Sequence, residues 1–375
     1  MIYLDNASTT RTDPRVFDVM IPYLCDTFGN PNSPHAAGKK AKAAVEKARE
    51  QAAALINADP EQIVFAHSAT DANSMVFKRY AYGIPVVSAV EHSSVLEAAR
   101  VTPYTVLPDK TGTVSPERLR EDLNCLFKDR LQFDRMASFM LVNNETGAVN
   151  DVEKLAEEAA AYGMWFHTDA TAAAGAMRID VKTLPGVDFM TFSAHKMHGP
   201  KGAAALYCRN PKCALAFTNE GGTPNVPAIV GFGEACRIQK KILDQRGGWT
   251  DADYNGFAGS FLASLESKTG FRLNQPCLAQ GHFDRILSVY FAGVDAEMLV
   301  QLCSDRGLMI SAGAACKAHE QKPSHVLTAL GMTDDEARST VRISFSRLNT
   351  AEECAEGAEI LAGCVNDLER MRNCG

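Results

Sequence analysis

The sequence lacks the features that would tie it to a membrane, a nucleic acid or an oxidising compartment. No apolar run approaches the roughly 18 residues that span a bilayer. No long basic run occurs and the net charge is -7, so neither nucleic acid nor an anionic membrane is expected as a partner. The opening MIYLDNASTT has no basic n-region and no apolar h-region, so no export signal is expected. Cysteine is present, 11 in all, but the number is odd and neither a CxxC pair nor a metal-type Cys/His cluster occurs. That argues against a disulfide framework and a metal centre, and for a reducing, cytoplasmic setting. Internal repeats and low-complexity tracts are also missing.

What is present is a chain of 375 residues with 46% hydrophobic content, enough for a large core and more than one domain. Short apolar runs (Gln62–Ala66, Pro85–Val90, Ser138–Val142, Met164–Thr168) alternate with helical stretches such as Gly38–Ile56 and Asp151–Tyr162. Alternation of this kind predicts an α/β domain on a mainly parallel sheet, with ligands bound where the strands end. The character changes at Gln245–Asp253 (QRGGWTDAD). Residues 1–250 are expected to form a large domain and residues 251–375 a smaller α+β domain, with residues 1–15 packing on the latter.

The chemistry-bearing residues sit at predicted strand exits. Ser193-Ala194-His195-Lys196 follows the apolar run Phe189–Phe192. A lysine there suits Schiff-base chemistry, in which desolvation and nearby positive charge keep the amine neutral. Ser193 and His195 could hold a phosphate, with Gly199, Pro200 and Gly202 shaping the turn. The segment reads equally as a surface turn with solvated lysines. Asp169, in His167-Thr168-Asp169-Ala170-Thr171, ends another buried run and needs a partner there. A protonated pyridine nitrogen would serve, and so would a helix start that the Asp caps. Ser68-Ala69-Thr70-Asp71 suits an anion site or plain capping. His92 could lie on a flat ring and move protons, or be structural. Asn144 could donate to a ring hydroxyl.

Cys316 lies in Ser311-Ala312-Gly313-Ala314-Ala315-Cys316-Lys317-Ala318-His319, a small, polar-flanked stretch that reads as a loop. Lys317 and His319 would lower its pKa, and a thiolate is the nucleophile that takes sulfur from a substrate thiol. The ten other cysteines read as buried filler.

In order and spacing these pieces, with Tyr3–Thr10, Phe28–His35, Val90-Glu91-His92, Asn143–Gly147 and Lys322–Leu327, resemble the class V aminotransferase-fold enzymes, and within them the NifS/IscS-type cysteine desulfurases. The resemblance runs nearly the whole chain. It implies the fold type I of transferases dependent on pyridoxal 5'-phosphate: a mainly parallel seven-stranded sheet in the large domain and a small α+β domain that carries the cysteine loop. It implies conversion of L-cysteine to L-alanine, with a persulfide formed on Cys316 and passed to an acceptor protein in iron–sulfur cluster or thio-cofactor biosynthesis. Lys196 would carry the cofactor and act as base, Asp169 would pair with the ring nitrogen, His92 would stack and assist proton transfer, and Asn144 would bond the ring hydroxyl. Ala69, Thr70, Ser193 and His195 would form the phosphate cradle. Thr223 would reach the phosphate from a neighbouring subunit, which implies a homodimer. Arg347 would grip the substrate carboxylate, with Asn30 also at the substrate.

The sequence departs from that pattern in three places. Ala172 stands where the family has Gln. The Gly- and Arg-rich segment before Thr223 is shortened to Asn219–Val226 and has no arginine. The chain ends at Gly375, short of the tail that housekeeping members offer to an iron–sulfur scaffold, so a different sulfur acceptor is expected. These departures leave open a divergent lyase or aminotransferase-like enzyme acting on another amino acid, such as selenocysteine, and a non-catalytic cofactor-binding scaffold. Retention of Lys196, Asp169, His92, Cys316 and Arg347 favours the desulfurase.

Overall fold

The structure, a computed structural model, describes residues 1–80, 83–99, 103–127, 135–218, 222–245, 252–275, 281–313 and 323–374. Strand β1 (Ile2–Tyr3) opens the chain. The strands β2 (Ile63–Ala66), β3 (Val86–Ser88), β4 (Tyr104–Val106), β5 (Met136–Ser138), β6 (Trp165–Asp169), β7 (Phe189–Ser193) and β8 (Ala204–Cys208) follow. They make one seven-stranded sheet in the order β2-β8-β7-β6-β5-β3-β4, parallel except for β8, which runs antiparallel to both neighbours. The central strands β5 and β7 are buried at every position and β6 at all but Trp165. Such strands carry apolar runs because helices cover both faces of a parallel sheet.

The C-terminal part is built on β9 (Arg272–Leu273), β10 (Ile286–Tyr290), β11 (Leu308–Met309), β12 (Ser311–Ala312) and β13 (Thr340–Ser344). An antiparallel sheet runs β12-β13-β10-β9. β1 pairs in parallel with β11, and Ser344 N donates to Leu4 O at 2.7 Å, so the first residues lie against this sheet. The expected change of character near Gln245–Asp253 falls largely on residues 246–251, outside the described residues.

One apolar core runs through both sheets. Phe139 stacks on Phe166 at 6.0 Å between ring centres, while Phe261 meets Phe345 edge-on at 5.9 Å. The helix Ala36–Leu55 is Ala-rich on its buried face, with Ala41, Ala44, Ala48, Ala52 and Ala53 inside. It packs on the helix Val226–Gln245, where a Cβ on Gly233 would come within 2.6 Å of the Ala48 Cα. Small residues on both helices permit that approach. Among the described residues no helix is long and apolar enough to cross a membrane. Of the cysteines expected to be filler, Cys208, Cys236, Cys303, Cys354 and Cys364 are buried, but Cys25 and Cys125 are exposed.

Candidate active site

A cavity of about 480 Å³ opens at the carboxyl ends of the large sheet's strands. Of the residues singled out in the sequence, Ala69, Thr70, His92, Asn144, Asp169, His195 and Lys196 line it, as does Ala172. They arrive from separate strand exits, as the topology of an open α/β sheet requires.

Asp169 ends β6. Its Oδ2 accepts from Asn73 Nδ2 at 3.0 Å and its Oδ1 from Thr171 N at 2.9 Å. Burial pushes this carboxyl up, but the bonds from Thr171 and Asn73 and the neighbouring His92 outweigh it and hold the pKa below the ordinary carboxylate value. The site therefore keeps a buried anion. His92 caps the short helix Ser93–Ala98. Its Nδ1 accepts from Ser94 N at 3.2 Å, which leaves the ring proton on Nε2. Burial, then the Lys196 charge, lowers its pKa, so the ring is neutral. Burial and the Lys196 charge push His195 down to about 4.

Lys196 closes the turn Ala194–Lys196 at the exit of β7. The N-terminal segment clamps this turn, with Thr10 Oγ1 donating to His195 O at 2.8 Å and His195 Nδ1 3.2 Å from Thr9 Oγ1. Ser193 is fully buried, and its Oγ has no hydrogen-bond partner among the described residues; it does not line the cavity.

Asn144 is carried by a tight loop that Gly147 makes possible. Gly147 has φ +77, and a Cβ there would meet His282 Nε2, Ile286 O and Phe283 O at 2.9 Å. The same loop brings Glu145 to the cavity, where its Oε2 accepts from Ser324 Oγ at 2.5 Å and burial raises its pKa. Glu91 is fully buried and accepts from Met140 N at 2.6 Å, and burial raises its pKa well above the carboxylate range. His325 donates from Nε2 to Glu91 O at 2.9 Å. Glu91, Glu145, Ser324 and His325 all line the cavity. Their motifs were visible in the sequence, but these positions were not singled out within them.

Arg347, expected at the substrate carboxylate, sits away from the cavity. Arg347 donates from Nη2 to Asp13 Oδ2 at 2.5 Å and does not line the cavity. The arginine that does is Arg342, in the middle of β13. Its Nη2 donates to Asp5 Oδ1 (3.0 Å) and Ser8 Oγ (2.6 Å), its Nη1 to Asn144 O (3.0 Å), and its Nε has no partner among the described residues. Arg342 points from within the buried sheet toward the Asn144 loop, whereas Arg347 comes after the strand has ended. Asn30 is exposed, with its Oδ1 taken by Asn32 N at 2.9 Å, and Thr223 is exposed as well; neither lines this chain's cavity. Cys316 lies outside the described residues, which resume at Pro323, itself a lining residue.

The profile of the family described as Aminotransferase class-V matches residues 2–356. The cysteine desulfurase IscS of Colwellia psychrerythraea strain 34H is 36% identical, over 99% of this chain and 94% of its own length. Among solved structures, a NifS-like protein superposes with a TM-score of 0.84 at 28% identity, over 98% of this chain and 100% of that one. A structure described as SspA in complex with cysteine superposes with a TM-score of 0.73 at 28% identity, over 92% of this chain and 99% of that one.

Proposed function

The chain belongs to the class-V aminotransferase family, and on that premise we propose that it is a cysteine desulfurase, converting L-cysteine to L-alanine with the sulfur taken up by Cys316. The observation that carries the reading is the meeting of Lys196, Asp169 and His92 in one cavity with a buried arginine, Arg342. The relatives named above support the substrate.

The residues present fit pyridoxal 5'-phosphate. Asp169 is a buried anion with room for a ring nitrogen's N–H, and the Ser193 hydroxyl is buried and unpartnered. Lys196 would hold the cofactor covalently. Ala69, Thr70 and His195, with Ser193 behind them, would receive its phosphate at the start of the helix Ala69–Tyr80. Asn144 would meet its ring hydroxyl. The bound cofactor supplies an electron sink for charge developing at the substrate α-carbon.

The chain's own residues do the rest. Arg342, the arginine that lines the cavity, receives the substrate carboxylate in place of Arg347. Lys196 takes the α-proton, and His92, neutral with its proton on Nε2, assists proton movement. The Cys316 thiolate attacks the substrate sulfur: an S–S bond forms, the Cβ–S bond breaks, and Cβ gains a proton. Atoms balance as L-cysteine plus thiol giving L-alanine plus persulfide, which then passes to an acceptor protein in iron–sulfur or thio-cofactor biosynthesis. Residues 1–250 and 251–375 are read as large and small domains. An exposed Thr223 suits a phosphate contact made across a homodimer, and the setting is read as cytoplasmic.

The test is to supply the cofactor-loaded protein with L-cysteine, L-selenocysteine and other amino acids without oxygen. Alanine from cysteine supports the proposal; alanine from selenocysteine alone, or transamination of other amino acids, overturns it.

A further inference from the structure

Arg285 is a buried cation that the desulfurase reading leaves without a role. It is 3% exposed and enters from the start of β10 in the C-terminal sheet. Its guanidinium reaches three main-chain oxygens on three different segments. Nε donates to Phe345 O at 3.0 Å, and Nη2 donates to Lys196 O at 2.9 Å and, more weakly, to Asn6 O at 3.4 Å. The acceptors are neutral carbonyls, so this charge is bought into the interior for geometry, and burying a cation is costly unless its hydrogen bonds are well made.

The placement matters because the Lys196 turn is held on two sides. Thr9 and Thr10 grip His195 on one side, and Arg285 grips the carbonyl of Lys196 itself on the other. A narrow cleft behind the turn is lined by Lys196, His198, Gln239, Arg285 and Arg347, and Gln239 Nε2 donates to Met197 O at 3.0 Å.

We propose that Arg285 is a positioning residue for Lys196: from the C-terminal sheet it fixes the Lys196 carbonyl and sets a permanent positive charge beside the turn. The proposal rests on Lys196 being the cofactor-bearing lysine. A planar guanidinium holds the turn in one orientation, because its donors have a fixed geometry. Its charge disfavours a second positive charge on the lysine nitrogen. The other titratable or charged groups around the turn are Glu91, His92, Glu145, Asp169, His195, His325 and Arg342 on the cavity side, with Lys201 acting on His195, and His198 and Arg347, with its partner Asp13, behind it.

The experiment titrates, against pH, the visible absorption band of the cofactor bound at Lys196 in wild type, Arg285→Met, Arg285→Lys and Lys196→Ala. Thermal stability of the cofactor-free proteins is followed alongside. Arg285→Met is expected to raise the midpoint of the band's titration by about half a unit or more, since the loss of a nearby charge at an effective dielectric near 20 has that scale, and to lower kcat more than it raises KM. Arg285→Lys keeps the charge but cannot serve three carbonyls, so its midpoint stays near wild type while kcat falls. If Arg285→Met does not fold, the Lys variant carries the decision. A wild-type midpoint in Arg285→Met, or wild-type kcat in Arg285→Lys, overturns the inference. A band that survives in Lys196→Ala overturns the underlying assignment of Lys196, and the inference with it.

Discussion

Arg347 Nη2 donates to Asp13 Oδ2 at 2.5 Å, so the guanidinium that the sequence offered for the substrate carboxylate instead ties the exit of β13 to the N-terminal segment. Asp13 also accepts both Arg15 Nε and Nη2, at 2.9 and 2.7 Å. Arg342, five positions earlier, lines the cavity. Replacing Arg342 by Lys is expected to raise the KM for L-cysteine by roughly 10- to 100-fold, matching the ~1.5–3 kcal/mol of a hydrogen bond to a charged group. Arg347→Ala is expected to leave KM within about twofold and lower stability by ~1–2 kcal/mol, since Asp13 keeps Arg15. Steady-state kinetics and urea unfolding of the two variants separate the roles; the opposite assignment would return Arg347 to the substrate.

Ser193 presents a buried hydroxyl that finds no partner among the described residues. In the cofactor-free protein, Ser193→Ala is expected to leave Tm unchanged or raise it, because an unsatisfied polar group is removed. Because the hydroxyl lies just behind the cavity lining, a phosphate contact that draws it forward would make the same change weaken cofactor binding by about tenfold. Equilibrium dialysis and calorimetry measure both, and a stability loss without an affinity loss would count against the cradle.

Gly147 cannot take a side chain without meeting His282 and two carbonyls, and its φ is positive. Gly147→Ala is expected to destabilise the protein by roughly 2 kcal/mol or more. It is also expected to displace Asn144, seen as a shift of the cofactor's absorption.

His167, His195 and His198 are each pushed down to about 4, in every case first by burial. They are neutral in the folded chain and gain protons near their ordinary value when it unfolds. The unfolded state therefore binds more protons between about pH 6.5 and 4, and stability is expected to be full above that window and to fall as pH drops through it. Urea midpoints from pH 7.5 to 4.5 check the slope. His198 sits at φ +64, buried, with Nδ1 donating to Arg11 O at 2.9 Å. Asn tolerates that backbone and can still donate, so His198→Asn is expected to fold and to flatten the acid limb.

The large sheet was legible because β6 and β7 are short buried apolar runs, and the cavity was legible because each run ends in residues too polar to bury without purpose; the run expected over Ser138–Val142 meets β5 only at Ser138. The choice between Arg342 and Arg347 was not legible from motif proximity. The signal was there in another form: an arginine inside the buried strand Thr-Val-Arg-Ile-Ser must have partners, whereas one just beyond it need not. Arg285 was missed for a related reason, since its three acceptors are carbonyls on segments far apart in the chain. Asn30 and Thr223 sit in motifs that read as functional, but both are exposed in the single chain. Glu91 and Glu145 were hidden in plain sight, because a carboxyl beside His92 or Asn144 reads as solvated until burial is known.

The most direct test of the central claim is one turnover without oxygen: cofactor-loaded protein mixed with one equivalent of L-cysteine, quenched, digested and examined by mass spectrometry. The account expects one extra sulfur on the peptide bearing Cys316, equal in amount to the alanine formed, with both absent in Lys196→Ala and the sulfur absent in Cys316→Ala. Extra sulfur on Cys25 or Cys125 instead, or alanine formed undiminished in Cys316→Ala, would contradict it.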